Sequence, residues 1–410
     1  MLYRLELENF YSVRDAQLLD LTIAPNVPND GERFAPLFPG STYRAPKVVA
    51  IYGANASGKT TILKALNFLF TFAKDSVQRA VPGFFGLERF NDAASMARPI
   101  RLAIELGGIM DFDADKVRRF EAGESLDRGT IRYELEIAIE DGIPARVASE
   151  ALRQRPEGKG KWQRVFERDA AGEVKGSPSF PIAGYRHLLN TLRPNVSVIS
   201  SFAIFQHPTA ALFVEQLSQV VGNLGWDGGP NDQAVVNFLA SDEALVEALN
   251  RDLRRIDIGV EKMRIENGPN GLFPMFKHEG LEVEMPWQLE SGGTRAFIRI
   301  FPLLSLALAR GGIAIVDEFD LMIHPLVLPE ILAWFHDREG RNPHDAQLWI
   351  TCHSASLLDD LAKEEIVFAE KDGEGRTSIY SLMDIKAVRR GDNLYSKYLS
   401  GAYGAVPHIG

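Results

Sequence analysis

Eight residues constrain this chain more than any others. Gly53-Ala54-Asn55-Ala56-Ser57-Gly58-Lys59-Thr60 follow the apolar run Val48-Val49-Ala50-Ile51-Tyr52 and lead into the helix-like Ile62-Leu63-Lys64-Ala65-Leu66. Strand, glycine-rich turn and helix are the context that a phosphate-binding loop requires. Glycines let backbone amides close on an anion, and the unpaired N–H groups of a helix start point at it. Lys59 can then reach the β- and γ-phosphates, and the Thr60 hydroxyl can ligate Mg²⁺. The segment implies an α/β fold that binds a nucleoside triphosphate.

Two later segments extend this chemistry. Gly312-Ile313-Ala314-Ile315-Val316-Asp317-Glu318 reads as a buried strand ending in two acids. Beside a phosphate loop, Asp317 would hold Mg²⁺ through a water and Glu318 would polarise the attacking water. On its own, the pattern also suits an apolar strand followed by a solvated acidic turn. Glu290-Ser291-Gly292-Gly293-Thr294-Arg295 precedes the helix-like run from Ala296 to Ala309, a second glycine turn at a helix start and so a second anion nest. One triphosphate does not need two nests in one chain. Two chains arranged head to tail do, each site taking the phosphate loop from one copy and Ser291-Gly292-Gly293 from the other. An N-cap serine before a flexible turn is the plainer reading. Ser291 precedes Asp317 by 26 residues, one helix plus one strand, which favours the composite site.

The chain has 410 residues, enough for one large domain or two to three ordinary ones. Its 55 acidic residues outweigh 45 basic ones, which argues against indiscriminate nucleic-acid binding and leaves a local basic groove open. The single cysteine, Cys352, excludes a disulfide framework and a Cys-based zinc site, and a reducing cytoplasm is the expected location. The start, Met1 to Phe10, alternates like a half-buried strand rather than a signal peptide. The most apolar stretch, Phe297 to Ala309, is interrupted by Arg299 and Pro302, so no membrane span is expected.

Residues 1–23 read as one or two strands and Ala24 to Pro46 as a loop. Ile100 to Leu106, Ile131 to Ile139, Ala148 to Leu152 and Trp162 to Phe166 read as antiparallel strands, and Val196 to Phe205 as a further strand. Thr209 to Ile256 reads as mostly helical, with Ser241 as a cap between two helices, and Gly268-Pro269-Asn270-Gly271 as a hairpin turn.

Asn55 and Ser57 within the phosphate loop, the Ser-Gly-Gly signature, Asp317-Glu318 and Thr351-Cys352-His353-Ser354 together resemble ABC-type ATPase heads of the SMC and recombination-repair kind. The resemblance implies an α/β P-loop NTPase fold, an ABC-type head with an antiparallel β-subdomain in the nucleotide lobe and a helical signature lobe. Residues 1–205 would form the nucleotide lobe, 206–310 the helical lobe and 311–410 the completion of the ATPase lobe.

It further implies that Gly53, Asn55, Ser57, Gly58, Lys59, Thr60 and Thr61 cradle the phosphates of ATP, with Thr60 and Asp317 serving Mg²⁺. Glu318 would be the catalytic base, His353 the switch histidine at the γ-phosphate, and Ser291, Gly292 and Gly293 the contact from the partner. The Mg²⁺-sensing glutamine between lobes falls on Gln206, which equally suits an ordinary loop glutamine. Ser12-Val13-Arg14 would approach the nucleotide.

Where most such heads carry an aspartate six residues after Glu318, this chain has His324-Pro325. That departure is similar to the bacterial abortive-infection ATPases of the Abi-L or RloA-like kind. So are Leu5 to Arg14, Ile256-Asp257-Ile258-Gly259-Val260 and the tail Tyr398 to Pro407. The resemblance implies an ATP-linked homodimer or higher oligomer that regulates a separately encoded effector, a Toprim-like nuclease, in anti-phage defence. The alternative is a compact SMC-like repair ATPase acting on DNA ends or gaps.

Thr60 and Ser291 are 231 residues apart, too few for a long coiled coil beside the strands between them. After His353 only 57 residues follow, fewer than a fused Toprim domain needs. Asp359 and Asp360 are expected at a helix start. Cys352 and His353, as strand neighbours, should face opposite ways and form no thiol–imidazole pair. Lys386 to Arg390 reads as a solvated basic face.

Overall fold

The computed structural model describes residues 1–78, 84, 87–109, 128–224, 232–256, 259–269, 271–386 and 388–407. The chain opens with β1 (Leu2–Glu8) and β2 (Gln17–Asp20), the small pair β3 (Phe34–Pro36) and β4 (Arg44–Pro46), then β5 (Val48–Tyr52) and α1 (Lys59–Asp75). A meander follows: β6 (Ile100–Ile109), β7 (Arg128–Glu140), β8 (Ile143–Pro156), β9 (Gln163–Arg168) and β10 (Val174–Gly176). Next come α2 (Arg186–Leu189), α3 (Val198–Ile204), α4 (Pro208–Leu217), β11 (Val220–Gly222), α5 (Asp232–Ala240) and α6 (Glu243–Ile256). The hairpin strands β12 (Val260–Gly268), β13 (Gly271–His278) and β14 (Met285–Pro286) lead to α7 (Gly292–Arg310) and β15 (Ile313–Val316). The chain closes with α8 (Leu328–His336), β16 (Gln347–Thr351), β17 (Ile366–Lys371), β18 (Thr377–Ser381) and α9 (Leu394–Leu399).

Two large sheets organise these elements. β5 is buried along its whole length, as expected of a strand covered on both faces. Its neighbours give the order β11-β15-β16-β5-β17-β18, parallel except for β18. Alternate side chains divide between two cores. Val49 and Ile51 pack with α1 and the antiparallel sheet, while Val48, Ala50 and Tyr52 pack with α6, α7 and α8. The second sheet, β10-β9-β8-β7-β6-β1-β2, is antiparallel throughout. It covers α1, α3 and α4 from the other side. The fold is thus the expected α/β P-loop type with an added antiparallel sheet. Val316 pairs with Ile350, and Ile350 with Ala50, so β15, β16 and β5 end side by side. Ligands of such sheets bind beyond the carboxyl ends of the strands.

Several expectations change. The segment Val196 to Phe205 is the helix α3, not a strand. Ser197 accepts hydrogen bonds from the Ile199 and Ser200 amides at 3.0 and 3.4 Å, and buried Glu150 on β8 accepts the Val198 amide at 2.9 Å. This capping satisfies the orphan donors of a helix start and outweighs the β-branched composition. Within the stretch read as helical, Val220–Gly222 instead forms the edge strand β11, and Leu212 and Phe213 of α4 pack into the first core beside Val198 and Phe202 of α3.

Between α5 and α6 the Ser241 hydroxyl bonds back to the Phe238 carbonyl, and Asp242, not Ser241, accepts the Leu245 amide of α6. The hairpin at Gly268–Gly271 is present, with Asn270 outside the described residues, as are Asp257, Ile258 and Ala387. Asp359 and Asp360 end a 3₁₀ turn, Ala355–Asp360, rather than start a helix. Arg390 is not simply solvated: it pairs with buried Glu364 at 2.9 Å.

Helix α7 runs longer than the apolar stretch expected. At 19 residues and a mean hydropathy of 1.2 it matches a membrane span in length and composition, contrary to expectation. Its buried face carries Phe297, Ile298, Phe301 and Leu304 into the second core, and its Arg299 pairs with Asp232 at 2.6 Å, as in a core helix.

Candidate functional site

The phosphate loop leaves β5 at Gly53 and enters α1 at Lys59. Gly53 and Gly58 are required here. A Cβ on Gly53 would lie 2.2 Å from the Ala369 carbonyl oxygen, and one on Gly58, at φ 106°, 2.4 Å from Thr377 Oγ1. Ala56 sits at φ 62°, a left-handed conformation that costs a non-glycine residue free energy and is common at ligand clamps. Lys59 Nζ donates to the Gly53 and Ala54 carbonyls at 2.9 and 3.0 Å. Burial lowers its pKa, an effect opposed by the Asp317 and Asp320 carboxylates. Ser57 Oγ is buried with no hydrogen-bond partner among the described residues. An orphaned hydroxyl inside a cradle that requires glycine at positions 53 and 58 suits a phosphate oxygen.

Beside the loop, Asp317 Oδ1 accepts hydrogen bonds from Thr60 Oγ1 at 3.1 Å and from Thr351 Oγ1 at 2.6 Å. The Thr351 hydroxyl also accepts the Glu318 amide at 2.8 Å. Glu318 itself is left-handed, φ 53°, at the lip of the cleft. One carboxylate flanked by hydroxyls suits Mg²⁺, which takes few protein ligands and fills its shell with phosphate and water. Among the described residues no cluster of three or more His, Cys, Asp or Glu side chains makes a closed metal cage. His353 is exposed at the same cleft, and Cys352, its neighbour on the strand end, is fully buried, so the two do face apart.

The cleft holds about 1350 Å³ and is lined by the loop from Asn55 to Thr61, Glu318, His353, Tyr11 and Ser12. Ser12 reaches it because a tight turn closes from Phe10 to Val13, and its hydroxyl lies 3.1 Å from Thr61 Oγ1. Arg14 is committed elsewhere, pairing with Asp92 at 2.9 Å.

Ser291, Gly292, Gly293 and His324 are not brought to this cleft. Ser291 is exposed and caps α7, accepting the Thr294 amide at 3.0 Å. Gly293 packs under the turn after Asp317-Glu318, where a Cβ would meet the Met322 carbonyl oxygen at 2.9 Å. Ser291, Gly293 and His324 share a smaller cleft of about 150 Å³. The glycine turn is therefore open to the outside, not sealed in its own core.

Gln206 is set apart from both clefts. It follows α3 at φ 60°, exposed, with its carbonyl 3.4 Å from the Tyr185 hydroxyl. An amide side chain that does meet the acidic strand end is Asn223, directly after the edge strand β11. It accepts the Asp317 amide at 2.8 Å and donates to the Asp317 carbonyl at 3.0 Å. Sequence reading missed Asn223 and Asp320, and gave Thr351 no role of its own. For Asn223 a signal existed, since Val220-Val221-Gly222-Asn223 is a short β-branched run ended by a turn pair.

A central parallel strand delivering a glycine loop to a helix, with a histidine just after the neighbouring strand β16 and an Asp-Glu pair just after the next one, β15, defines a P-loop ATPase domain. More particularly, residues 48–359 match the family described as AAA domain, putative AbiEii toxin, Type IV TA system, and the chain belongs to it. No curated protein matches the sequence. Similar solved structures include an SMC head bound to the C-terminal winged-helix domain of ScpA, 13% identical over 92% of this chain and 96% of that one, TM-score 0.44. They also include the SMC head domain from Thermotoga maritima, 14% identical over 93% and 98%, TM-score 0.41. A third is the Smc head with an extended coiled coil bound to the C-terminal domain of ScpA, derived from Pyrococcus furiosus, 11% identical over 92% and 95%, TM-score 0.41.

Proposed function

We propose that this ATPase domain is an Mg²⁺-dependent ATP hydrolase that closes head to tail with a second copy on ATP and reopens on hydrolysis. In this reading Gly53, Asn55, Ser57, Gly58, Lys59, Thr60 and Thr61 hold the triphosphate, and Thr60 and Asp317 hold Mg²⁺. The ion would supply charge neutralisation between the β- and γ-phosphates. Glu318 accepts the proton of the attacking water, and His353 contacts the γ-phosphate. Ser291, Gly292 and Gly293 approach from the partner, with His324 in the crossing turn.

The observation that carries the reading is the exposed Ser291 turn at the start of α7, separate from the phosphate loop of its own chain. Exposed apolar residues lie on the same segments: Leu289 is 68%, Met322 64% and Leu326 81% exposed. A protein of this kind regulating a separate nuclease in anti-phage defence, in the cytoplasm, is the role we assign, supported by the abortive-infection-like motifs.

Sedimentation of Glu318→Gln with saturating Mg-ATP tests the closure, with a dimer expected that dissociates when nucleotide is removed. Moving that equilibrium from 1:99 to 99:1 takes about 5.5 kcal/mol, within reach of two bridged triphosphates. A variant that stays monomeric with nucleotide bound would rule out the composite site. Turnover stimulated by DNA ends, with affinity falling steeply in salt, would point to the repair reading instead.

A further inference from the structure

The turn after Asp317 and the loop after β16 are stitched together by more than the acidic pair itself. The Glu318 amide donates to Thr351 Oγ1 at 2.8 Å and the Phe319 amide to the Thr351 carbonyl at 3.1 Å. In the other direction, the consecutive amides of His353 and Ser354 both donate to one carboxylate oxygen, Asp320 Oδ2, at 2.9 and 2.5 Å. Asp320 also lines the cleft, and its charge acts on Lys59 in the phosphate loop.

Bonds from amides to an ionised oxygen are about twice as strong as neutral ones. Two of them on one atom fix the direction in which residue 353 leaves the strand. Ser354 precedes the 3₁₀ turn Ala355–Asp360, and its own amide is held by Asp320, 34 residues away in sequence.

From this geometry we infer that Asp320 is the positioning residue of His353. It holds the backbone from which the imidazole reaches the γ-phosphate, and ties that imidazole to the turn carrying Glu318. The assignment rests on the hydrolase reading above. Loss of the carboxylate would free the His353 loop while leaving the phosphate loop and the Thr60–Asp317 contact in place.

The test compares Asp320→Ala, Asp320→Asn, His353→Ala and the Asp320→Ala/His353→Ala double variant, all checked for wild-type thermal unfolding. Steady-state turnover is expected to fall about 10- to 100-fold in Asp320→Ala, as for a catalytic group displaced by about 1 Å. The KM for ATP should change less than kcat, since the hydrogen bonds that shape the phosphate loop are kept. Asp320→Asn, which keeps an oxygen acceptor, should recover most of the rate. The double variant should be no slower than His353→Ala alone. Hydrogen exchange at the 353 and 354 amides should quicken at least about tenfold in Asp320→Ala. A double variant that multiplies the two defects would overturn the assignment, as would unchanged exchange. A wild-type protein without turnover would sink the hydrolase reading instead, and amide exchange would still decide whether Asp320 holds the loop.

Discussion

Replacing Thr351 by valine removes one buried oxygen and almost no volume, so the variant isolates the hydroxyl. Thr351 is 1% exposed, and its Oγ1 donates to the Asp317 carboxylate at 2.6 Å while accepting the Glu318 amide at 2.8 Å. A hydrogen bond to a charged group contributes about 1.5–3 kcal/mol, and a neutral one about 0.5–1.5 kcal/mol. The stability loss should therefore be about 2–4.5 kcal/mol, large against a marginal fold.

Turnover should suffer separately. Glu318 is held at φ 53°, a conformation costing on the order of 1–3 kcal/mol for a non-glycine residue, and the Thr351 bond is one of the contacts that hold it. Released, the glutamate can relax away from the water it would polarise, and kcat should drop about 10- to 100-fold, or about 1.4–2.7 kcal/mol of barrier. Denaturant unfolding reads the first effect and steady-state ATP hydrolysis the second, with Thr351→Ser as the control that keeps the hydroxyl. If valine and serine lose equal turnover, or if valine loses none, the oxygen does not hold the acidic turn and the reasoning fails.

His207 should impose a pH dependence on stability. Burial lowers its pKa from 6.5 to about 4, and its neutral Nδ1 accepts the Ala210 amide at 3.3 Å. Because the folded pKa lies below the unfolded one, this contribution is complete above pH ~6.5 and is lost as pH falls toward ~4, a total of about 3 kcal/mol. Urea midpoints from pH 7.5 to 4.5 should fall more steeply for wild type than for His207→Asn, which can still cap α4; parallel curves would refute the assignment. Asn223→Ala should lower kcat more than it raises KM and cost about 2–3 kcal/mol, since the Asp317 amide and carbonyl lose their partner. Calorimetry showing normal nucleotide affinity with slow turnover would bear this out, and full activity would count against it.

How much of this was legible before the fold was known follows the range of the interactions. The phosphate loop, the acidic pair and the strand carrying His353 could be read because each is a local pattern. A buried strand must be apolar throughout, a phosphate turn must contain Gly53 and Gly58, and both requirements lie within a few residues. The Ser291 turn could be read as a helix cap for the same reason.

What could not be read was decided across long separations. Val196 to Phe205 has the composition of a strand, yet Glu150, a distant residue buried on β8, helps to fix it as a helix. Gln206 stands apart from the acidic strand end, because β11 brings Asn223 rather than Gln206 to Asp317. Thr351 and Asp320 matter only once β15 and β16 lie in register. A sequence determines by itself the conformations that short stretches prefer and the chemistry they carry. Which buried hydroxyl or carboxylate meets which amide depends on a register set by the packing of the whole sheet, because a hydrogen bond is made or lost within half an ångström.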